Sequence, residues 1–230
     1  MTGSRSPLQN RVLPTGEIVA DPGRGLLMGN RGCIHNPDRT LGVTRWRTKM
    51  WIACVLEWRG WKRDVMPPGR WTALFFLDEA TALSAGHRPC GYCRRADHRW
   101  FAASWQAAKD QAVQPYAWEM DVALHAERVV SRTRAKITRP AILADLPDGA
   151  MVDYLGEPAL VSGGSLLPWS FGGYRDPVRV SPDTTADLLT PPSIVGVLKA
   201  GYRPLVHPSA GPTSMRSFAA DTTQMTPSST

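Results

Sequence analysis

The sequence predicts an α+β protein with a metal-binding N-terminal half, and three observations lead to this prediction. Strand-type apolar runs alternate with helical patterns in the first part of the chain. After Pro140 the pattern changes to short apolar runs separated by Gly and Pro turn signals, as in small antiparallel strands. A Cys-x-x-Cys motif stands where a predicted helix begins. We therefore expect short antiparallel strands around a zinc knuckle, two central helices and a small antiparallel C-terminal half.

The N-terminal elements follow one another closely. WIACVLEW (51–58) predicts a strand that turns at RGWK and returns along RDVM as a hairpin, and WTALFFL (71–77) predicts another strand. DEATALSAG predicts a short helix, which Asp78 caps and Gly86 ends. From Arg94 the segment RRADHRWFAASWQAAKDQA has its apolar residues at helical spacing, so we expect a longer helix there.

The C-terminal elements begin with a predicted helix over WEMDVALHAERVV (118–130). The segments LPDGAMV, GEPALV, GGSLLPW and GGY predict short antiparallel strands. SIVGVLKAG (193–201) predicts a short helix, introduced by two prolines and stopped by Gly201. YRPLVHPSA is expected to close the fold as an extended segment.

These elements divide the chain into four regions. Residues 1–10 and 209–230 have too little apolar content to offset the entropy of ordering, so we expect flexible ends. Residues 11–115 form the predicted zinc-binding half. Residues 116–208 form a helix and a β-rich half, packed either as part of the same domain or as a second small one.

Composition restricts the class of protein. Of the 230 residues, 43% are hydrophobic and 20% are charged, as in a soluble globular protein. No segment has the roughly 20 unbroken apolar residues of a membrane span, and the N-terminus lacks the apolar run of a secretion signal. We expect a cytoplasmic protein that does not enter a membrane.

The net charge of +7 favours a polyanionic partner, DNA or RNA, although an ordinary basic protein is the simpler alternative. Many of the cations are interleaved with tryptophans between residues 45 and 63, which suits contact with a phosphate backbone combined with base stacking. The predicted nucleic-acid-binding residues are Arg45, Arg47, Lys49, Arg59, Lys62, Arg63, Arg94 and Arg95.

The cysteines are better candidates for metal ligands or core thiols than for disulfides in a chain without a secretion signal. Cys90 and Cys93 enclose a Gly-containing turn, CGYC, which can direct two thiolates at one ion. The alternative is a thioredoxin-like redox pair at a helix start. Basic flanking residues and the absence of a parallel βαβ pattern favour the metal.

Residues 74–97 include FFLDEATALSAGHRPCGYCRRAD, which resembles the zinc-binding domain of Ada-type DNA alkylphosphotriester repair proteins and related nuclease-appended zinc domains. The shared pattern is an aromatic strand, a short Ala-rich helix and an RPC-x-x-C turn followed by basic residues. The resemblance covers about a tenth of the chain. It implies a Zn²⁺ ion held by Cys90, Cys93 and two ligands from upstream of the aromatic strand.

The upstream ligands are where this chain departs from that family. Ada-type domains have a close cysteine pair there, one member of which accepts a methyl group from a DNA phosphate. This sequence has only the well separated Cys33 and Cys54. We expect Cys54 to be the third ligand, and Cys33, His35 and His87 are the candidates for the fourth.

His125 and Glu127 are the best candidates for a catalytic acid and base. Zinc-dependent deaminases combine His-x-Glu with Pro-Cys-x-x-Cys, but there His-x-Glu comes first, whereas here it follows. The alternative is an amphipathic helix whose Glu127 meets solvent. The glycine-rich segment 23–32 lacks the Gly-Lys-Ser/Thr of a phosphate loop, so it predicts tight turns with exposed arginines.

Three functions follow from these patterns. The first is a zinc-binding protein of nucleic-acid metabolism that contacts DNA or RNA through a basic, Trp-rich face. The second is a zinc-dependent enzyme, a hydrolase, deaminase or repair transferase, with His125 and Glu127 near the metal. The third is an interaction module that zinc merely holds together.

Overall fold

The fold is α+β, as predicted. A computed structural model describes residues 6–62 and 64–217, apart from the side chains of residues 61 and 62. The strands are β1 (Gln9–Val12), β2 (Ile18–Ala20), β3 (Leu27–Asn30), β4 (Ile52–Val55), β5 (Glu57–Trp58), β6 (Trp61–Lys62), β7 (Leu74–Phe76), β8 (Arg88–Pro89), β9 (Arg139–Ile142), β10 (Met151–Tyr154), β11 (Glu157–Ser162), β12 (Ser165–Ser170), β13 (Gly173–Tyr174), β14 (Val178–Arg179), β15 (Thr185–Leu188), β16 (Leu205–Val206) and β17 (Arg216–Ser217). The helices are α1 (Glu79–Ser84), α2 (Arg95–Ala108), α3 (Ala117–Arg128) and α4 (Pro192–Lys199).

The first sheet has the strand order β2-β1-β7-β3-β4-β8. Antiparallel strands were predicted, but this sheet is mixed, because β1 pairs with β7 and β4 pairs with β8 in parallel. The hairpin predicted from a strand over 51–58 and a returning strand over 63–66 was wrong in the bounds and pairing of its strands. Strand β4 ends at Val55 and pairs with β3 and β8, and the hairpin is the short pair of β5 and β6. Residues 64–66 of the predicted returning strand are not strand, and Arg63 lies outside the described residues.

The second sheet is antiparallel, with the order β13-β12-β11-β10-β15-β9 and with β14 added to β12. Both of its faces are covered, so successive residues of a strand enter different cores. Val152 packs with α2, α3 and α4, whereas Met151 packs with Leu77 and Ala80 on the other face. The predicted C-terminal strands are therefore confirmed, and the predicted central helices cover one side of them.

Helix α1 contacts both β7 and β10, so it links the two sheets. Its six residues are all buried. Asp78 caps it, as predicted, by accepting a hydrogen bond of 2.9 Å from the Thr81 amide. Gly86 ends it at a φ of +83°, and a Cβ there would meet the Arg128 side chain at 2.4 Å. Glycine is thus required both by the backbone conformation and by the packing of Arg128.

Parts of the two ends that were predicted to be flexible form regular structure. Gln9 and Asn10 belong to β1, and residues 209–217 include the buried Met215 and strand β17. The remainder of those predictions, residues 1–5 and 218–230, lies outside the described residues. Among the helices of the described part, none combines the length and apolarity needed to cross a membrane.

Candidate metal centre

Three buried cysteines converge on one point of the first sheet. The sulfur atoms of Cys54, Cys90 and Cys93, called the thiol cluster below, all lie within 4.8 Å of one another. Zinc bound by thiolates at about 2.3 Å holds its sulfurs about 3.8 Å apart in a tetrahedral site. The spacing and the donor type therefore fit a thiolate-bound metal ion.

The parallel pairing of β4 and β8 creates this arrangement. Ala53 is opposite Pro89 in the register, and the Cys90 amide donates a hydrogen bond of 2.9 Å to the Ala53 carbonyl. Cys90 therefore leaves the sheet beside Cys54. The chain then turns back on itself, since the Arg94 amide bonds to the Cys90 carbonyl at 3.1 Å, and Cys93 is presented just before α2.

The thiols interact with one another and with backbone amides. Cys54 and Cys93 lower the pKa of the Cys90 thiol, and the Tyr92 amide donates to its sulfur at 3.4 Å. The pKa of Cys54 is raised, chiefly by its hydrogen bond to Cys90. The protein by itself therefore favours one thiolate among protonated partners. A bound cation would favour the thiolate form of all three.

The surroundings of the thiol cluster are apolar. Met28, Met66 and Ala73 are almost wholly buried and pack in the same core cluster as the three cysteines. Met28 stands opposite Cys54 in the pairing of β3 with β4. Such an environment excludes water and strengthens electrostatic interactions between an ion and its ligands.

None of the three predicted fourth ligands joins the thiol cluster. The imidazole of His35 contacts the Thr72 hydroxyl at 2.7 Å and the Pro67 carbonyl at 3.3 Å. His87 is fully buried and packs on Trp51 and Phe76. Neither histidine, nor Cys33, lies within 4.8 Å of all three sulfurs. Within the described part of the chain, the protein contributes three convergent donors.

His98 is a neighbour of the turn that sequence reasoning missed. It lies in the first turns of α2, and a Cβ on Gly91 would come within 3.3 Å of its ring. Its Nδ1 atom is buried and has no hydrogen-bond partner. His98 follows Arg94 by four residues, and this spacing could have drawn attention to it, since one helical turn places it above the residue that ends the Cys90–Cys93 turn.

The predicted acid and base do not lie in the thiol cluster. Glu127, which is partly exposed, accepts hydrogen bonds from the Ser193 amide at 2.9 Å and from its hydroxyl at 2.5 Å, and so caps α4. His125 is buried with its ring edge-on to Trp46 at 5.4 Å. Burial, together with Arg128 and Lys49, lowers the pKa of His125 to about 4, so it is neutral at physiological pH.

The predicted nucleic-acid-binding residues fall into different environments. Arg47, Lys49, Arg59 and Arg95 are exposed, whereas Arg45 is partly buried. Arg94 is buried instead, and its guanidinium is 2.8 Å from Glu79 and 2.7 Å from Asp97. The Lys62 side chain and Arg63 lie outside the described residues.

An aromatic and cationic patch lies beside the turn of residues 90–93. The Arg59 guanidinium is 5.4 Å from the centre of a Trp58 ring, and Trp58 is 6.1 Å from Tyr92. The Tyr92 ring, within the turn itself, is 68% exposed. These three residues are called the knuckle surface below.

No protein-family model, curated protein or solved structure matches the chain. Function is therefore inferred from the thiol cluster and from the basic surfaces around it.

Proposed function

We propose that this chain is a zinc-binding protein of nucleic-acid metabolism in which Cys54, Cys90 and Cys93 hold the ion. The observation that carries the proposal is the convergence of three buried thiols from a strand and a separate turn. Thiolate donors favour zinc over magnesium or calcium, which prefer oxygen. The ion would fasten β4 to the start of α2.

The knuckle surface supports nucleic acid as the partner. An exposed tyrosine, a partly exposed tryptophan and an arginine lie together next to the metal centre. Flat aromatic side chains stack on bases, and an adjacent guanidinium pairs with phosphate. Arg95, exposed at the start of α2, adds a further positive charge near this surface.

A catalytic role has one observation in its favour, the presence of only three convergent protein donors among the described residues. Catalytic zinc sites keep a coordination position for water or substrate, whereas structural sites are closed by four protein ligands. His125 and Glu127 have other partners, so an enzyme at this site would need a different acid and base.

Metal content measured by mass spectrometry tests the zinc site. We expect about one zinc per chain in the wild type and strongly reduced zinc in Cys54→Ser and Cys90→Ser. Cys33→Ser is the matched control, because Cys33 is outside the thiol cluster. Full zinc occupancy in Cys54→Ser, or its loss in Cys33→Ser, would contradict the assignment. X-ray absorption of the wild type should detect three sulfur ligands and one lighter donor.

Fluorescence anisotropy with labelled oligonucleotides tests the partner. Tyr92→Ala should weaken binding about 10-fold, the usual effect of removing one stacking platform, while leaving the zinc content unchanged. Arg59→Ala should weaken binding and reduce its salt dependence. Arg179→Ala, which removes an exposed charge from the second sheet, is the control. Affinity that stays constant between about 50 and 200 mM salt would rule out phosphate contacts.

A further inference from the structure

A cationic cleft of about 440 Å³ lies between the first sheet and the end of α3. Five cationic side chains line it, Arg31, Arg45, Arg128, Arg134 and Lys136, with Glu17 as the carboxylate among the lining residues. Two tryptophans, Trp46 and Trp51, form part of its wall. The volume is in the range of small-molecule sites.

Two of these cations are buried without a carboxylate partner. Arg31 is 2% exposed and Arg128 is fully buried. Arg31 donates to the Gly16 carbonyl at 2.9 Å and to His87 Nε2 at 3.4 Å. Arg128 donates to the carbonyls of Gly86 and Lys49, both at 2.7 Å, and to His125 Nδ1 at 3.2 Å. Carbonyl oxygens and neutral imidazoles satisfy hydrogen bonds, but they do not neutralise charge. Among the described residues, no carboxylate forms an ion pair with either arginine.

Donor capacity remains unused in the same place. The Nη2 atom of Arg31 and the Nε atom of Arg128 are buried and have no hydrogen-bond partner. Both guanidinium groups lie over the Trp51 indole, at 4.0 and 3.8 Å from a ring centre. The indole attracts both cations, but it leaves them mutually repulsive. Burial and this repulsion lower the pKa of Arg128 to about 8.

Lys136 adds a third enclosed charge. Part of the residue remains exposed, but its ammonium group is surrounded by protein and donates to the Ser84 carbonyl. Burial, followed by the charges of Arg31 and Arg128, lowers the pKa of Lys136 to about 7. Arg31, Arg128 and Lys136 therefore form a group of enclosed cations whose charges the protein leaves uncompensated.

We propose that this cleft binds the phosphate group of a small phosphorylated molecule or of a nucleic-acid end, with Arg31, Arg128 and Lys136 as its ligands. A phosphate offers several acceptor oxygens and about two negative charges, so it can use the vacant N–H groups and neutralise the cations together. The cleft is larger than a phosphate, and the partly exposed ring of Trp46 leaves space for a flat group beside it. This inference does not depend on the proposed zinc and nucleic-acid function.

Titration calorimetry of the full chain with inorganic phosphate and pyrophosphate tests the proposal. We expect saturable binding of both, and none of chloride at the same ionic strength. A nucleoside monophosphate compared with its nucleoside, and a 5′-phosphorylated oligonucleotide compared with its unphosphorylated form, distinguish the two sources. Preference for the monophosphate indicates a small molecule, and preference for the phosphorylated oligonucleotide indicates a nucleic-acid end.

Lys136→Met is the decisive variant, because Arg31 and Arg128 are so deeply buried that their replacement could unfold the chain. Loss of one charge-assisted contact should weaken phosphate binding about 10-fold or more. Lys199→Met, at an exposed position in α4, is the matched control and should bind as the wild type does. The zinc content of Lys136→Met should remain normal, which separates cleft binding from phosphate on the metal. Wild-type protein that binds no phosphate, or Lys136→Met that binds it unchanged, would overturn the proposal.

Discussion

Both ends of helix α1 face buried cations, but the two ends provide different acceptor groups. At its first residue, Glu79 is 2.8 Å from the Arg94 guanidinium and also accepts a hydrogen bond of 2.6 Å from the Tyr202 hydroxyl. Beyond its last turn, the carbonyls of Ser84 and Gly86 accept hydrogen bonds from Lys136 and Arg128. One end thus offers carboxylates to its cations, and the other offers only carbonyl oxygens.

The difference separates a structural ion pair from a place suited to a ligand. Burial alone would lower the pKa of Arg94, but Glu79, Tyr202 and Asp97 raise it well above its ordinary value. At the other end, burial and the nearby charge of Arg45 together lower the pKa of Arg31 to about 9. A buried cation that pairs with a carboxylate of the protein has its charge balanced. A buried cation without such a partner is stabilised when an anion binds from solution.

The largest effect is expected from Glu79→Gln, which leaves the shape nearly unchanged but removes the negative charge opposite Arg94. Removing one partner of a buried ion pair leaves the other charge uncompensated, at a cost of about 3–5 kcal/mol. The free energy of unfolding in urea should fall by this amount. Asp97, which remains 2.7 Å from Arg94, would retain part of the pairing.

Asp97→Asn serves as the graded comparison for that substitution. The Asp97 side chain is 16% exposed, whereas that of Glu79 is fully buried. Solvent can therefore replace part of the interaction that Arg94 loses, and Asp97→Asn should lower the free energy of unfolding by less than Glu79→Gln. Equal losses for the two variants, or a loss below about 1 kcal/mol for Glu79→Gln, would show that Arg94 does not depend on its buried partner.

At the other end of the helix, Lys136→Met should change the free energy of unfolding in the opposite direction. It should stabilise the ligand-free protein by about 1 kcal/mol or more at pH 6. The pKa of Lys136 is about 7 in the folded state and near its ordinary value of 10.5 in the unfolded state. Between these values the unfolded state binds more protons, so wild-type stability rises with pH. The advantage of the methionine variant should therefore shrink between pH 6 and pH 9.

Thermal unfolding in phosphate-free buffer at both pH values measures that difference. Other charged or titratable groups in and around the cleft are Glu17, Arg31, Arg45, Lys49, His87, Arg88, Asp121, His125, Arg128 and Arg134. Since all of them are present in both proteins, the comparison isolates Lys136 and its coupling to them. A methionine variant that is less stable at pH 6 than the wild type would mean that the ammonium group stabilises the fold.

Local patterns predicted those features that depend on neighbours in the sequence. Asp78 as a cap, Gly86 as a terminator and the Cys90 to Cys93 turn are set by side chains and backbone within a few residues. Inclusion of Cys54 in the site was predicted through the resemblance of residues 74–97 to a known zinc domain.

Features that depend on distant pairings could not be predicted in this way. Arg31 appeared to be an exposed residue of a glycine-rich turn, but it meets Arg128 across Trp51, and nothing in either segment indicates the other. Arg94 pairs with Glu79, and strand β17 brings Arg216 to the same carboxylate and to Asp97. Such clusters require knowledge of which strands pair and which helices pack on them.

The smallest change in stability is expected at an exposed ion pair. It provides a reference for the changes expected at the two buried clusters. Arg175 lies 2.6 Å from Glu157, but more than half of each side chain is in contact with water. Glu157→Gln should therefore change the free energy of unfolding by no more than about 1 kcal/mol, and the change should become smaller at high salt. Urea unfolding at low and high salt measures it beside Glu79→Gln. If Glu157→Gln lowered the free energy of unfolding as much as Glu79→Gln does, burial would not explain the large contribution of the ion pair at α1.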